Sequence, residues 1–144
     1  MTVVPDQVRE LLAVQCQAID RGDFKEYGRT FAVDAVFDNR AAGAVLTGRE
    51  QIGASAVRHA AARRAQGAVL RHYMFGTGLA GPVRDGIAEV TSTTLIVCST
   101  AAGVAPLAVL SCRDRIALAD GPPRVLHRLV DVVGPPPGPT APRA

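Results

Sequence analysis

AIDRGDFKEYGRTFAVDAVFDN, residues 18–39, holds the change of periodicity on which the fold reading turns. Its first residues finish an amphipathic helix. Upstream, Val8, Leu11, Leu12, Gln15, Cys16 and Ile19 recur at helical spacing and draw one stripe. Gly22 is a natural stop, because glycine enters the left-handed C-cap conformation without a Cβ penalty. Pro5 and Asp6 start that helix, with Asp6 read as its N-cap. Asp23, with Glu26 three residues on, is a capping-box pattern that opens a short second helix, from which Phe24, Tyr27 and Phe31 face the core. Ala35 to Asn39 then reads as a short strand.

Outward from this segment, residues 41–43 form a turn before Val45 and Leu46, and a third helix rich in Ala and Arg runs from Arg49 to Ala65, punctuated by Gly67. Everything beyond reads as sheet: Val69 to Leu79, Gly86 to Ser99, Pro106 to Leu118 and Arg124 to Val133, separated by Gly, Pro and Asp. Helices followed by a run of strands indicate the α+β class. Residues 1–133 are expected to form one domain. The Pro/Gly-rich tail at 134–144 can form neither helix nor central strand, because proline lacks the donor and fixes φ, and it is expected to be disordered.

Composition narrows the function classes. The 144 residues are 48% hydrophobic but only 4% aromatic, with no Trp, so the core is built from Val, Leu, Ile and Ala. No apolar run approaches the roughly 20 residues that span a bilayer. The start, MTVVPDQVRELL, lacks a basic segment followed by an apolar one, so a cytoplasmic protein without a membrane partner is expected. Cys16, Cys98 and Cys112 are odd in number, show no C-x-x-C spacing and lie in apolar stretches; they read as reduced core residues. The net charge of +3 is carried by scattered arginines, with Lys25 the one lysine. The densest cluster, Arg58, Arg63 and Arg64, has no interleaved aromatics to stack on bases. It reads as a solvated helix face, with His59 exposed on it, and no nucleic-acid partner is expected. No His and carboxylate cluster has metal-ligand spacing, and GTGLAG at 76–81 does not open a helix as a nucleotide loop would. Neither a metal nor a cofactor is expected.

Four segments in this order resemble the SnoaL-like branch of the NTF2-like superfamily. They are the stretch at 18–39, LTGREQI (46–52) before the third helix, LRHYMFGTG (70–78) on the following strand, and SCRDRIALADGPPRVLHRLVD (111–131) as a closing hairpin. The resemblance covers residues 6 to 133. It implies a cone: three N-terminal helices packed on a strongly curved, mostly antiparallel sheet, enclosing an apolar, one-ended pocket. Scytalone dehydratase-like and dehydrochlorinase-like members place an Asp at the end of the first helix and a His on the strand after the third. Asp20 and His72 stand at those positions and are the expected catalytic pair. The physics agrees. A carboxylate at a helix C-terminus is disfavoured by the macrodipole and gains from a donor nearby. A carboxylate accepting from one imidazole nitrogen fixes the tautomer and leaves the other to act as base.

Asn39, Gln15 and Arg128 are the candidates to bind substrate. Gln15 and Asn39 stand where ketosteroid isomerase-like members carry a Tyr and an Asp, which argues against that reaction in its usual form. Asp114 and Arg128 resemble the closing-hairpin charges, and a structural salt bridge is the first reading for them. Tyr73 points away from His72 in a regular strand, and a second pocket histidine is not placed unless His127 serves. The resemblance implies a cofactor-independent acid/base enzyme, a cyclase, dehydratase or isomerase acting on a small apolar metabolite in polyketide or other natural-product biosynthesis. It also implies an alternative, a non-catalytic ligand-binding or subunit-assembly module, and in either case a homodimer.

Overall fold

In the computed structural model, residues 3–134 are described, and the tail beyond Gly134 lies outside them. Helix α1 (Asp6–Arg21) begins directly after Pro5, which occupies the N-cap position, so Asp6 is the first helical residue and not the cap. Its carboxylate still lies in the first turn, where the helix dipole favours it. Gly22 closes α1 at φ +80°. Asp23 caps α2 (Phe24–Arg29), its Oδ1 accepting the Glu26 N–H at 3.0 Å. Phe31 does not belong to α2. Strand β1 (Phe31–Asn39) starts there, four residues before the alternation in the sequence becomes visible, and Phe31 is fully buried as its first residue.

Strand β2 (Ala44–Thr47) pairs back on β1, and α3 (Arg49–Ala65) follows. Three long strands and a final shorter one complete the chain: β3 (Val69–Leu79), β4 (Ile87–Thr100), β5 (Gly103–Ala117) and β6 (Arg124–Val132). The sheet order is β2-β1-β6-β5-β4-β3, antiparallel throughout except where β1 runs parallel to β6. Strand β5 begins three residues before the expected Pro106, which sits in the ladder opposite Val97 at a register shift.

The sheet is strongly curved and does not close. Helix α3 touches β1 and β2 near one edge and also β3 at the other. Six flat strands would hold those edges about 24 Å apart at ~4.8 Å per spacing, too far for one helix to bridge. Register shifts between Ile96 and Val97, Phe75 and Gly78, and Arg115 and Ile116 supply the bends. Burial follows the two-residue period on the concave side: Ala88, Val90, Ser92 and Thr94 of β4 face Cys112, Asp114 and Ile116 of β5. Val8, Leu11 and Leu12 of α1, with Tyr27, Phe31 and Ile52, fill the narrow part of the cone. Burying each such aliphatic side chain contributes roughly 1.5–3 kcal/mol. Only Cys112 of the three thiols is a core residue; Cys16 and Cys98 are half-buried, and all three are unpaired.

Candidate active site

Where the core stops, the concave side opens into a cavity of about 570 Å³. This is within the usual size of a small-molecule site. Gln15, Ile52 and Arg128, all nearly inaccessible, form its closed end. The exposed residues Arg21, Ala41, Arg64 and Leu107 border its open end. Between them the wall is apolar, made by Phe37, Leu70, Met74, Ile96 and Leu110.

Asp20 and His72 meet at this wall. Asp20 lies in the last turn of α1, and α1 packs along β3, which presents Leu70, His72 and Met74 on one side and Tyr73 and Phe75 on the other. The His72 ring Nδ1 and Asp20 Oδ1 are 2.7 Å apart, and the His72 backbone N–H donates to both carboxylate oxygens at 3.1 Å. Asp20 therefore holds the strand as well as the ring. A carboxylate only accepts, so the proton of the neutral ring sits on Nδ1, and in that form Nε2 keeps its lone pair. The side chains remain partly accessible, 13% for Asp20 and 21% for His72.

The closed end holds a second polar group, a chain of hydrogen bonds with no water-exposed member. Arg128 donates from Nε and Nη2 to the two oxygens of Asp114 at 2.7 and 2.9 Å, and from Nη2 to Gln15 Oε1 at 2.7 Å. Gln15 Nε2 donates to Thr30 Oγ1 at 2.8 Å, and that hydroxyl donates to the Tyr27 carbonyl. The guanidinium also lies 5.4 Å from the Phe31 ring centre and 5.9 Å from that of Phe37, over their negative faces. Burial works against the Arg128 charge, but the attraction and hydrogen bonds of Asp114 outweigh it and raise the pKa above the ordinary arginine value. Burial likewise pushes the Cys16 and Cys112 thiols up, against the opposing influence of Arg128, so both stay protonated at neutral pH.

Each sequence-derived candidate has a definite place in this arrangement. Gln15 borders the cavity, but both ends of its amide are engaged by Arg128 and Thr30. Arg128 borders it too, and its Nη1 has no hydrogen-bond partner among the described residues. Asn39 lies on the lining with its Oδ1 accepting the Ala42 N–H at 3.1 Å, which leaves its amide NH₂ for a ligand. Tyr73 is 54% exposed on the far side of the sheet, and His127 is not part of the lining.

One cavity residue was missed as such. His59 is exposed as expected, yet it belongs to the cavity lining, with its Nδ1 2.9 Å from the Ser55 carbonyl and 3.2 Å from Ser55 Oγ. The signal was present in the spacing: Ile52, Ser55, Ala56, His59, Ala60 and Arg63 recur at i, i+3, i+4 intervals and all line the cavity. Alanines on every side of α3 hid that stripe, because they give the helix almost no contrast between faces.

The comparisons with known proteins agree with this geometry. The family described as SnoaL-like domain matches residues 5–128. No curated protein matches the chain. Among solved structures it is similar to Aln2 from a Streptomyces species, at 26% identity over 92% of this chain and 94% of that one, with a TM-score of 0.78. It is also similar to a Catenulispora acidiphila protein solved in complex with S-DNPA, at 25% identity over 87% and 90% of the two chains and a TM-score of 0.72. An NTF2-like protein with a cystatin-like fold from Novosphingobium aromaticivorans shares the fold, at 18% identity over 89% of this chain and 80% of that one, with a TM-score of 0.77. With its three helices, its curved open sheet and a family match across nearly all of the described residues, the chain belongs to the SnoaL-like domain family of the NTF2-like fold.

Proposed function

We propose that this protein is an acid/base enzyme that works without a cofactor on a small, largely apolar metabolite of natural-product biosynthesis. The observation that carries the reading is the 2.7 Å contact between Asp20 and His72 at the wall of an apolar, one-ended cavity. In this reading Nε2 of His72 takes a proton from a carbon next to a carbonyl. Arg128 Nη1 and the Asn39 amide donate to the oxygen on which negative charge then develops. The three reactions of the family reading share this step. Returning the proton to a departing hydroxyl releases water, returning it to another carbon isomerises the substrate, and attack of the enolate on a second carbonyl closes a ring. The complex of the Catenulispora relative with S-DNPA supports a small-molecule occupant for a cavity of this fold.

The test measures proton abstraction itself. Bicyclic β-hydroxyketones incubated with the protein in D₂O are expected to gain deuterium beside the carbonyl, read by mass spectrometry. His72→Ala should slow that exchange by roughly 10²–10⁴-fold, the usual contribution of a general base. Asp20→Asn should slow it as well, because an amide that donates to Nδ1 forces the proton onto Nε2. Both variants should keep the wild-type circular dichroism. Undiminished exchange in His72→Ala would sink the enzyme reading and leave a non-catalytic binding module.

The same reading puts the protein in the cytoplasm, and no helix of the described residues is long and apolar enough to cross a membrane. It also pairs two copies through the convex side of the sheet.

A further inference from the structure

Helix α3 has 17 residues but buries only Ile52 and Ser55. Beyond Ile52 and Ala56, which also meet the core, its inward stripe borders the cavity, and its chemistry changes along the axis. Ile52 stands at the closed end, Ser55, Ala56, His59 and Ala60 follow, and Arg63, with Arg64 beside it, reaches the open end. The other charges on the lining already have partners. Asp20 is held by His72, and Arg21 is paired with Glu26 and lies 3.8 Å from Asp23. Arg128 is neutralised by Asp114. Arg63 and Arg64 make no ion pair among the described residues, so the mouth of an apolar cavity carries two unpaired guanidinium groups, while the one carboxylate on the lining, Asp20, is hydrogen-bonded to His72 at the wall.

We infer that the substrate is an apolar acid whose carboxylate rests on Arg63 and Arg64 while its uncharged body enters the cavity. This rests on the reading of the cavity as the substrate site and adds the anionic end of the molecule. Guanidinium groups present paired N–H donors that match a carboxylate, and at the rim they remain hydrated until the ligand arrives. The arrangement also orients the ligand. With the anion fixed at the mouth, the body points past Leu70 and His72 towards Arg128, and the reacting carbon is carried to the depth of the imidazole. The position of both arginines in the last turn of α3, where a cation favours the helix dipole, predicts a stability effect but no ligand discrimination.

A fluorescent probe separates the two. N-phenyl-1-naphthylamine, which is uncharged, reports occupancy of the cavity, and 1-naphthylacetate and 1-naphthylacetamide compete for it as a pair differing in charge. The acid is expected to displace the probe from the wild-type protein about ten-fold more tightly than the amide, as charge-assisted hydrogen bonds to a carboxylate exceed neutral ones. Added salt should narrow that gap. In the double variant Arg63→Gln, Arg64→Gln the acid should fall to within about two-fold of the amide, with the probe's own affinity unchanged, since an exposed charge contributes little to binding a neutral molecule. Equal displacement by acid and amide in the wild type overturns the inference while the cavity reading stands. So does a preference for the acid that persists in the double variant. Failure of the uncharged probe to bind at all overturns both.

Discussion

Asp114 has no accessible surface, and the charge that balances it, Arg128, is 5% exposed. Such a pair is a weak source of net stability, since two ions must leave water to form it, but breaking it leaves a bare charge in the core. Asp114→Ala is therefore expected to lower the unfolding free energy by about 3–5 kcal/mol, and the paired change Asp114→Leu, Arg128→Met by less than half of that. Urea titration of both variants checks this; equal losses would mean that the cost lies in packing and not in the orphaned guanidinium. At this scale the sequence was informative where a family pattern supplied partners across the chain. Asp20 and His72 are 52 positions apart, and no local spacing could pair them. Gln15 shows the opposite limit. Its place in the apolar stripe of α1 was evident, but its partners, Thr30 and Arg128, come from other elements, so its role as a brace for Arg128 was not.

Two glycines at positive φ show how differently a turn can depend on the absence of a Cβ. At Gly22, φ +80°, an added methyl would meet nothing nearer than a Phe24 ring carbon at 3.9 Å. At Gly86, φ +70°, it would stand 2.8 Å from the Ala119 Cβ, beneath a backbone hydrogen bond from Leu118 N to the Gly86 carbonyl. Gly22→Ala should cost about 1–2 kcal/mol for the left-handed backbone alone. Gly86→Ala adds an overpacking cost of typically about 1–3 kcal/mol to the same backbone strain. Thermal unfolding should therefore rank wild type, Gly22→Ala and Gly86→Ala in falling order; an equal loss at the two sites would remove the clash as a cause. Gly22 was legible as a helix stop because it follows a clear stripe. β3 and α3 have the bounds their residues suggest, α3 between Gly48 and Gly67 although no side chain caps its start. The start of β1 was not legible, because Phe31 satisfies both a helical spacing from Tyr27 and a strand face. The structure resolves the choice through the parallel ladder with β6, where Phe31 pairs with Val125, far away in the chain.

Curvature is a property of the whole molecule, and the residues that produce it are not marked by composition. The sequence showed strands, and the resemblance implied a cone, but the shifts that bend the ladders arise from pairing between distant segments. One consequence is that the convex side of the sheet is left uncovered. There Tyr73 and Phe75 of β3 are 54% and 52% exposed. Tyr73 stands opposite Leu95 of β4, and Leu95 opposite Val109 of β5, so an aromatic and two aliphatic side chains form a row across three strands. A soluble monomer seldom leaves a contiguous apolar row of this kind open to water. A second copy of the same chain has the matching surface by symmetry. Light scattering at micromolar concentration is expected to give twice the chain mass. Tyr73→Glu with Leu95→Arg should give a single chain mass while the cavity still binds the uncharged naphthylamine probe, because both side chains point away from it. A monomeric wild type would refute the dimer, and a dimer that survives both substitutions would refute this surface as its interface.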